Sequence, residues 1–132
     1  MKNNFQPGDK KIFVRQVTTS DLAVFESGAV HQVYATFAIA RDAEWAGRLF
    51  VLEMKEENEE GIGTYVHVNH HSPALLHQQV QFEAVLEKTD RNNVHCSFKA
   101  FAGNRLIASG TTGQKIVLRE KLDAVFRSLE NE

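Results

Sequence analysis

The sequence has few cysteines, few prolines and no long apolar run. A single cysteine among 132 residues excludes an internal disulfide, and only two prolines are available to interrupt helices or strands. Apolar runs such as Leu49–Leu52 fall far short of the ~20 residues needed to span a bilayer. Residues 1–9 also lack the apolar region of a signal peptide. We therefore expect no membrane insertion and a cytoplasmic location.

An excess of charge of one sign is missing as well. The chain has 15 Lys and Arg residues against 17 Asp and Glu residues, which gives a net charge of −2. Non-specific binding to nucleic acid depends on many cationic side chains that neutralise phosphates. No nucleic-acid partner is therefore expected.

The residues that are present fit one globular domain. The chain is 42% hydrophobic and 24% charged, and a domain of this length buries roughly two-thirds of the surface that its unfolded chain exposes. Such a core needs neither a disulfide nor a structural metal. The expected organisation is a single domain over residues 1–132, without repeats or linkers.

One long helix is predicted from Ala35 to Glu57, where apolar residues recur at helical spacing. A second apolar row widens the stripe, so we expect other elements to cover much of the helix. The run Lys55–Glu60, followed by Gly61, is expected to end the helix in solvent. The first row contains Ile39, Ala43, Ala46, Phe50 and Met54, and the second contains Trp45, Leu49 and Leu52.

Strand patterns lie on both sides of this helix. An edge strand is predicted at Lys10–Val17, and most of the sheet is expected after Gly61, where turn residues at 90–93 and 103–104 separate the strands. Residues 119–132 carry one apolar stripe and predict a short closing helix. The predicted later strands are Gly63–His70, Gln78–Lys88, Asn92–Ala102 and Arg105–Leu118.

This order of elements predicts an α+β protein. An antiparallel sheet of about five strands would wrap around one long central helix, which is the arrangement of the hot-dog fold. A single sheet of this kind leaves an edge strand and part of the helix exposed unless two chains pair. A homodimer is expected, with a dimer of dimers as an alternative.

Two polar residues at the start of the predicted helix, Thr36 and Glu44, are candidates for chemistry. Each also has a structural interpretation. The hydroxyl of Thr36 could cap the helix N-terminus. Glu44 could form surface ion pairs with Arg41 and Arg48, which lie at helical spacing from it.

A group of four histidines supplies a third candidate. Alternation along a strand separates His67 and His71 from His70, and that stretch holds no cysteine or carboxylate, so no metal site is expected. His70 ends a predicted strand, where a neutral imidazole could face a pocket and exchange protons near pH 7. Cys96 alternates with apolar residues and is expected to be a buried small side chain, not a nucleophile. The four histidines are His67, His70, His71 and His77.

Together these segments resemble the hot-dog thioesterases, and more closely the fluoroacetyl-CoA thioesterase-like subgroup. In that subgroup a threonine and a glutamate open the central helix, and a glycine precedes a strand histidine. Thr36, Glu44, Gly63 and His70 occupy these positions with matching spacing, and the resemblance covers most of the chain after Val33. Gln114 stands where the specialised member has an arginine, so fluoroacetyl specificity is not expected.

The resemblance implies an acyl-CoA thioesterase that acts on a short- or medium-chain acyl group and needs no cofactor. Glu44 would be the nucleophile or the base that activates water, His70 would transfer the proton, and Thr36 would orient one of them. The N–H group of Gly63 would stabilise the oxyanion. The alternative function is a non-catalytic dimeric module that binds an acyl or other small hydrophobic ligand.

The helix itself sets a condition on this site. Eight residues of continuous helix would separate Thr36 from Glu44 by ~12 Å, too far for one shared site. Either the helix begins after Thr36, or one of the two residues reaches the site from a partner subunit.

Overall fold

A computed structural model shows a five-stranded antiparallel sheet packed against one long helix. The structure describes residues 1–132, apart from the side chains of residues 29 and 30. The elements in chain order are β1 (Lys10–Gln16), a 3-10 turn (Thr19–Asp21), β2 (Leu22–Phe25), β3 (Gly28–Tyr34), α1 (Thr36–Met54), β4 (Glu59–His70), β5 (Gln79–Asp90), β6 (Asn93–Ala102), β7 (Arg105–Leu118) and α2 (Arg119–Leu129).

The strands are ordered β1-β5-β6-β7-β4 across the sheet, so β1 and β4 form its two edges. All neighbouring strands in this sheet are antiparallel. The α+β architecture predicted from the sequence, with five strands, a central helix and a short C-terminal helix, is confirmed. No helix among the described residues has the length and apolar character needed to cross a membrane.

The core lies between α1 and the sheet. The first apolar row of the helix is fully covered, from Ile39 to Met54, and it meets buried side chains of β5, β6 and β7 such as Phe82, Phe98 and Ile116. The second row behaves differently. Trp45 and Leu52 remain 41% and 39% exposed, so other elements of the chain cover much of the helix, as expected, but not all of this second row.

The helix is shorter than the sequence predicted. It begins at Thr36 and ends at Met54, with Lys55 as C-cap. The acidic run that follows does not extend it, because the Glu59 carboxylate accepts a hydrogen bond from the Glu56 backbone at 2.9 Å and closes a turn. The chain then enters β4 at Glu59, so Gly61 lies within a strand and does not mark the helix end.

A second, two-stranded sheet formed by β2 and β3 was absent from the sequence prediction. Its pairing contains two register shifts, between Leu22 and Ala23 and between Ala23 and Val24. Such irregularities break the two-residue alternation by which strands are recognised. This hairpin precedes α1 directly and therefore lies beside the start of the helix.

The predicted C-terminal helix is present as α2, but it does not close the core. Its contacts with the rest of the chain are mainly with β7. Three members of its apolar stripe, Val125, Phe126 and Leu129, are each at least 50% exposed.

Candidate active site

The hydroxyl of Thr36 lies 3.0 Å from Nδ1 of His70. Thr36 is the first residue of α1, whose N-cap is Ala35, and no side chain caps the helix. The N-cap interpretation of Thr36 is therefore wrong, since its hydroxyl contacts an imidazole at the end of β4. The sequence left open whether Thr36 would contact Glu44 or His70. In the structure Thr36 contacts His70.

The start of α1 is fixed by hydrogen bonds on both sides of Thr36. The backbone N–H of Ala35 donates to the carbonyl of Asp21 at 2.8 Å, and that of Tyr34 donates to the carbonyl of Ala74 at 2.9 Å. The Tyr34 hydroxyl, in turn, donates to the carboxylate of Asp42. These contacts join the hairpin, the 3-10 turn and the helix, and they set the position of Thr36.

Two buried carboxylates behind this junction are neutralised by two arginines. Arg15 and Arg41 each approach Asp21 to 2.7 Å, and Arg41 also reaches Asp42 at 2.9 Å. Burial acts to raise the pKa of Asp21, but hydrogen bonds from Arg15, Thr18 and Arg41 outweigh it and hold that pKa well below its usual range. This cluster could not be predicted from the sequence, because its members are up to 27 residues apart in the chain. The adjacent charges of Arg41 and Asp42 on a mainly apolar helix were the only local signal.

His70 lies at the end of β4, next to the turn that begins with Ser72-Pro73. Partial burial lowers its pKa, and His71 acts in the same direction, against a hydrogen bond with the Ser72 backbone. A lowered pKa keeps the imidazole neutral at pH 7, the state in which it can accept a proton.

Glu44 lies against Gly63 on β4. A Cβ atom added at residue 63 would come within 1.9 Å of the Glu44 Oε1 atom, so only glycine leaves room for this carboxylate. The predicted ion pairs of Glu44 are not found among the described residues, because both arginines bind elsewhere. Arg41 pairs with the buried aspartates, and Arg48 donates to the carbonyl of Gly61 at 2.8 Å.

Gln114 supports the backbone beneath Glu44. It lies opposite Gly63 on β7, and its Nε2 atom donates to the Glu44 carbonyl at 3.0 Å. Its Oε1 atom is buried without a hydrogen-bond partner among the described residues. Gln114 is 2% exposed and does not line the cavity described next.

A mainly apolar cavity of about 710 Å³ opens beside Thr36 and His70. Val66 and Val68 of β4 lie in its wall together with Ala40 of the helix. The remaining lining residues are Ala23, Phe25, His31, Val33, Tyr34, Ala35 and Phe37. Five of these twelve residues come from the β2–β3 hairpin, which the sequence analysis did not predict.

The four predicted site residues form two pairs, not one group. Thr36 and His70 line the cavity, whereas Glu44 and Gly63 lie farther along the seam between α1 and β4 and do not line it. Because α1 is continuous from Thr36 to Met54, the possibility that the helix begins after Thr36 is excluded. Thr36, Gly63 and His70 are all exposed in the single chain.

The remaining candidates are structural. Cys96 is buried, and that burial raises the pKa of its thiol to about 12, which suppresses the reactive thiolate. His71 bonds the Ser109 hydroxyl at 2.7 Å, away from the Thr36–His70 pair. No group of three potential metal ligands occurs among the described residues.

The sequence model of the fluoroacetyl-CoA-specific thioesterase family matches residues 17–120. The chain belongs to this family. The matched residues include Thr36, Glu44, Gly63 and His70. The match confirms the prediction of a thioester hydrolase. No curated protein sequence matches the chain significantly.

Solved structures share the fold of this chain. A thioesterase superfamily member of Thermus thermophilus is 37% identical, with a TM-score of 0.94 over 98% of this chain and 96% of that chain. A fluoroacetyl-CoA thioesterase is 20% identical, with a TM-score of 0.88 over 96% of this chain and 98% of that one. A hot-dog-like protein of Thermanaerovibrio acidaminovorans is 21% identical, with a TM-score of 0.85 over 96% and 93% of the two chains. The last two establish the fold alone, and the predicted hot-dog fold is confirmed.

Proposed function

We propose that this protein hydrolyses acyl-CoA thioesters in a site that two copies of the chain complete. The observation that carries the proposal is the Thr36–His70 contact of 3.0 Å at the wall of an apolar cavity. Hydrolysis of a thioester requires attack on the acyl carbon and stabilisation of the oxyanion, while the thiolate leaves without much assistance. Thr36, Glu44, His70 and Gly63 supply these functions.

The first pair controls the proton. A neutral imidazole that is hydrogen-bonded to the Thr36 hydroxyl has one nitrogen held in place, which orients the other nitrogen toward the cavity. Thr36 therefore orients His70, and His70 accepts and returns the proton during hydrolysis. Both residues border the space in which the acyl group would lie.

The second pair supplies the carboxylate for the attack. Glu44 either attacks the acyl carbon itself or removes a proton from the attacking water. A single turnover in ¹⁸O-labelled water separates these roles. Direct attack by water labels the acid and leaves Glu44 unlabelled. Attack by Glu44 forms a mixed anhydride and releases the coenzyme A thiolate, and water that opens the anhydride at the Glu44 carboxyl carbon leaves an unlabelled oxygen in the acid and the label in Glu44.

The two pairs are too far apart to act within one chain, because eight helical residues separate Thr36 from Glu44 by about 12 Å. The strand β4 offers a way to join them, since it is an edge of the sheet. Antiparallel pairing of β4 with the same strand of a second copy, about a two-fold axis, brings the end of one strand that carries His70 toward the end of the other that carries Gly63. Glu44 of the second copy then approaches the Thr36–His70 pair of the first.

Several further features support a homodimer. Thr36 and His70 are exposed in the single chain, whereas an active site works best where water is excluded. The exposed helix residues Trp45 and Leu52 also remain to be covered. We also propose that residues 1–132 form one catalytic domain. This domain acts in the cytoplasm, where the single thiol of Cys96 stays reduced.

The direct test is release of coenzyme A from a panel of acyl-CoA thioesters, followed with a chromogenic disulfide. We expect hydrolysis by the wild-type chain and a loss of at least about 100-fold in kcat for Glu44→Gln and for His70→Ala. Glu53→Gln, an exposed carboxylate on the same helix, is the matched control and should keep its activity. A folded dimer that hydrolyses no thioester in the panel would contradict the proposal and favour a binding module.

A further inference from the structure

We propose that the cavity beside Thr36 and His70 selects a bulky apolar acyl group of about six carbons or more, and that Phe25 and Phe37 at its mouth carry this selection. The inference rests on the proposed thioesterase function and adds the class of substrate. It follows from the chemistry of the wall, from the volume of the cavity and from the position of two aromatic rings.

The wall of the cavity offers almost no polar contacts to a small acyl group. No Asp, Glu, Lys or Arg side chain is among the twelve described lining residues. The Tyr34 hydroxyl is already engaged by Asp42, which leaves Thr36, His70 and His31 as the polar side chains of the lining. Ala23, Val33, Ala40, Val66 and Val68 present only hydrocarbon.

The volume of the cavity also favours a large group. The cavity measures about 710 Å³ in the single chain, where it is open to solvent. An acetyl group has three non-hydrogen atoms and fills on the order of 100 Å³ if each atom takes about the 30 Å³ share of a water molecule. An acyl group of six to ten carbons, together with the end of the pantetheine arm, fits this space better.

Phe25 and Phe37 are placed to contact the far part of such an acyl group. Their rings meet edge to face with centroids 5.9 Å apart, although Phe25 belongs to β2 and Phe37 to the first turn of α1. They are 56% and 50% exposed, and both border the cavity. Both rings therefore present apolar surface at the cavity wall to a long acyl chain.

Burial of each additional methylene on these surfaces contributes about fourfold in affinity. A substrate gains this contribution only when its acyl chain is long enough to reach the wall and the rings. We therefore expect kcat/KM to increase from acetyl-CoA through butyryl-CoA to hexanoyl-CoA. Phenylacetyl-CoA should also be hydrolysed well, whereas fluoroacetyl-CoA should resemble acetyl-CoA.

The test measures kcat/KM for this series with the wild-type chain, Phe25→Ala and Phe37→Ala. Each substitution should lower the ratio of the hexanoyl to the acetyl value by on the order of tenfold, because it removes the apolar surface beneath the longer chain. Phe126→Ala in α2, which removes a ring that is 53% exposed and outside the cavity, is the matched control and should leave the ratio unchanged. Light scattering on each variant establishes its oligomeric state.

Three results would overturn the inference. The first is a preference for acetyl-CoA or fluoroacetyl-CoA by an active wild-type enzyme, which would leave the thioesterase function intact. The second is an equal loss for all substrates, or dissociation of the dimer, in Phe25→Ala and Phe37→Ala, since the rings would then belong to a subunit contact. The third is the absence of hydrolysis with every substrate, which would overturn the thioesterase function as well.

Discussion

The Thr36 hydroxyl and Nδ1 of His70 lie 3.0 Å apart, although 34 residues separate them in the chain. One residue opens the central helix, and the other ends an edge strand of the sheet. Their contact links α1 to β4 at the wall of the cavity, which the β2–β3 hairpin also lines. The expected effects of altering this site follow from that arrangement.

Removal of the Thr36 hydroxyl should lower kcat without unfolding the protein. Thr36→Val keeps the shape of the side chain but leaves Nδ1 of His70 without its partner, and we expect a loss of about 10- to 100-fold in kcat. Thr36→Ser keeps the hydroxyl and should retain most of the activity. Steady-state kinetics of both variants provides the comparison, and wild-type kcat in Thr36→Val would show that the contact has no catalytic role.

The pH dependence of kcat/KM should report His70. Partial burial lowers the pKa of this imidazole, and the neutral form is the one that accepts a proton. Activity should therefore persist below pH ~6.5, the ordinary histidine value, and decline only as the pH falls through the lowered pKa. An acid limb above pH ~7 in the free enzyme would contradict this assignment.

Gly63→Ala should lower the activity of the enzyme while leaving its stability almost unchanged. The added Cβ meets the end of the Glu44 side chain, which is flexible and can move away, so the melting temperature should change little. The displaced carboxylate should cost on the order of 100-fold in kcat/KM. Gly110→Ala provides the contrast, because its Cβ would lie 1.8 Å from the backbone carbonyl oxygen of His67 and should destabilise the fold. A fully active Gly63→Ala enzyme would remove Glu44 from the mechanism.

The buried Asp21 should stabilise the junction before α1 in a pH-dependent way. Its pKa is lowered in the folded state, so its contribution is complete above the unfolded value of ~3.9 and is lost as the pH falls below it. Asp21→Asn should lower the free energy of unfolding at pH 7 by about 3 kcal/mol, since it removes one of the two buried charges of the cluster and leaves Arg15 and Arg41 with Asp42 alone. Chemical denaturation between pH 2 and 7 checks both expectations, with the exposed Asp123→Asn as control. Equal stability of Asp21→Asn and wild type at pH 7 would show that the cluster is not stabilising.

The sequence predicted the parts of this molecule that depend on regular spacing. The buried row from Ile39 to Met54 and the four strands after Glu59 follow periods that the chain displays directly. The β2–β3 hairpin escaped prediction because register shifts interrupt its alternation. The end of the helix was misplaced because the Glu56–Glu59 turn depends on a side-chain contact and not on helix propensity.

The residues of the candidate site could be named from the sequence, but their positions relative to one another could not. Residue spacing identified Glu44 as a candidate. It did not show that Arg41, three residues earlier, binds Asp21, or that the Glu44 carboxylate lies against Gly63. That choice depends on a contact across 20 residues of chain. The Phe25–Phe37 contact was equally inaccessible, because its two rings come from elements whose relative position only the fold determines.

The central claim, that each active site combines Thr36 and His70 of one chain with Glu44 of another, is tested most directly by mixing two inactive variants. His70→Ala and Glu44→Gln chains are unfolded together, refolded and assayed for thioester hydrolysis. Random pairing makes half of the dimers mixed, and each mixed dimer has one intact site, so about 25% of wild-type activity should return. If the mixture remains as inactive as the two separate variants while mixed dimers are shown to form, the site lies within a single chain and the claim is wrong.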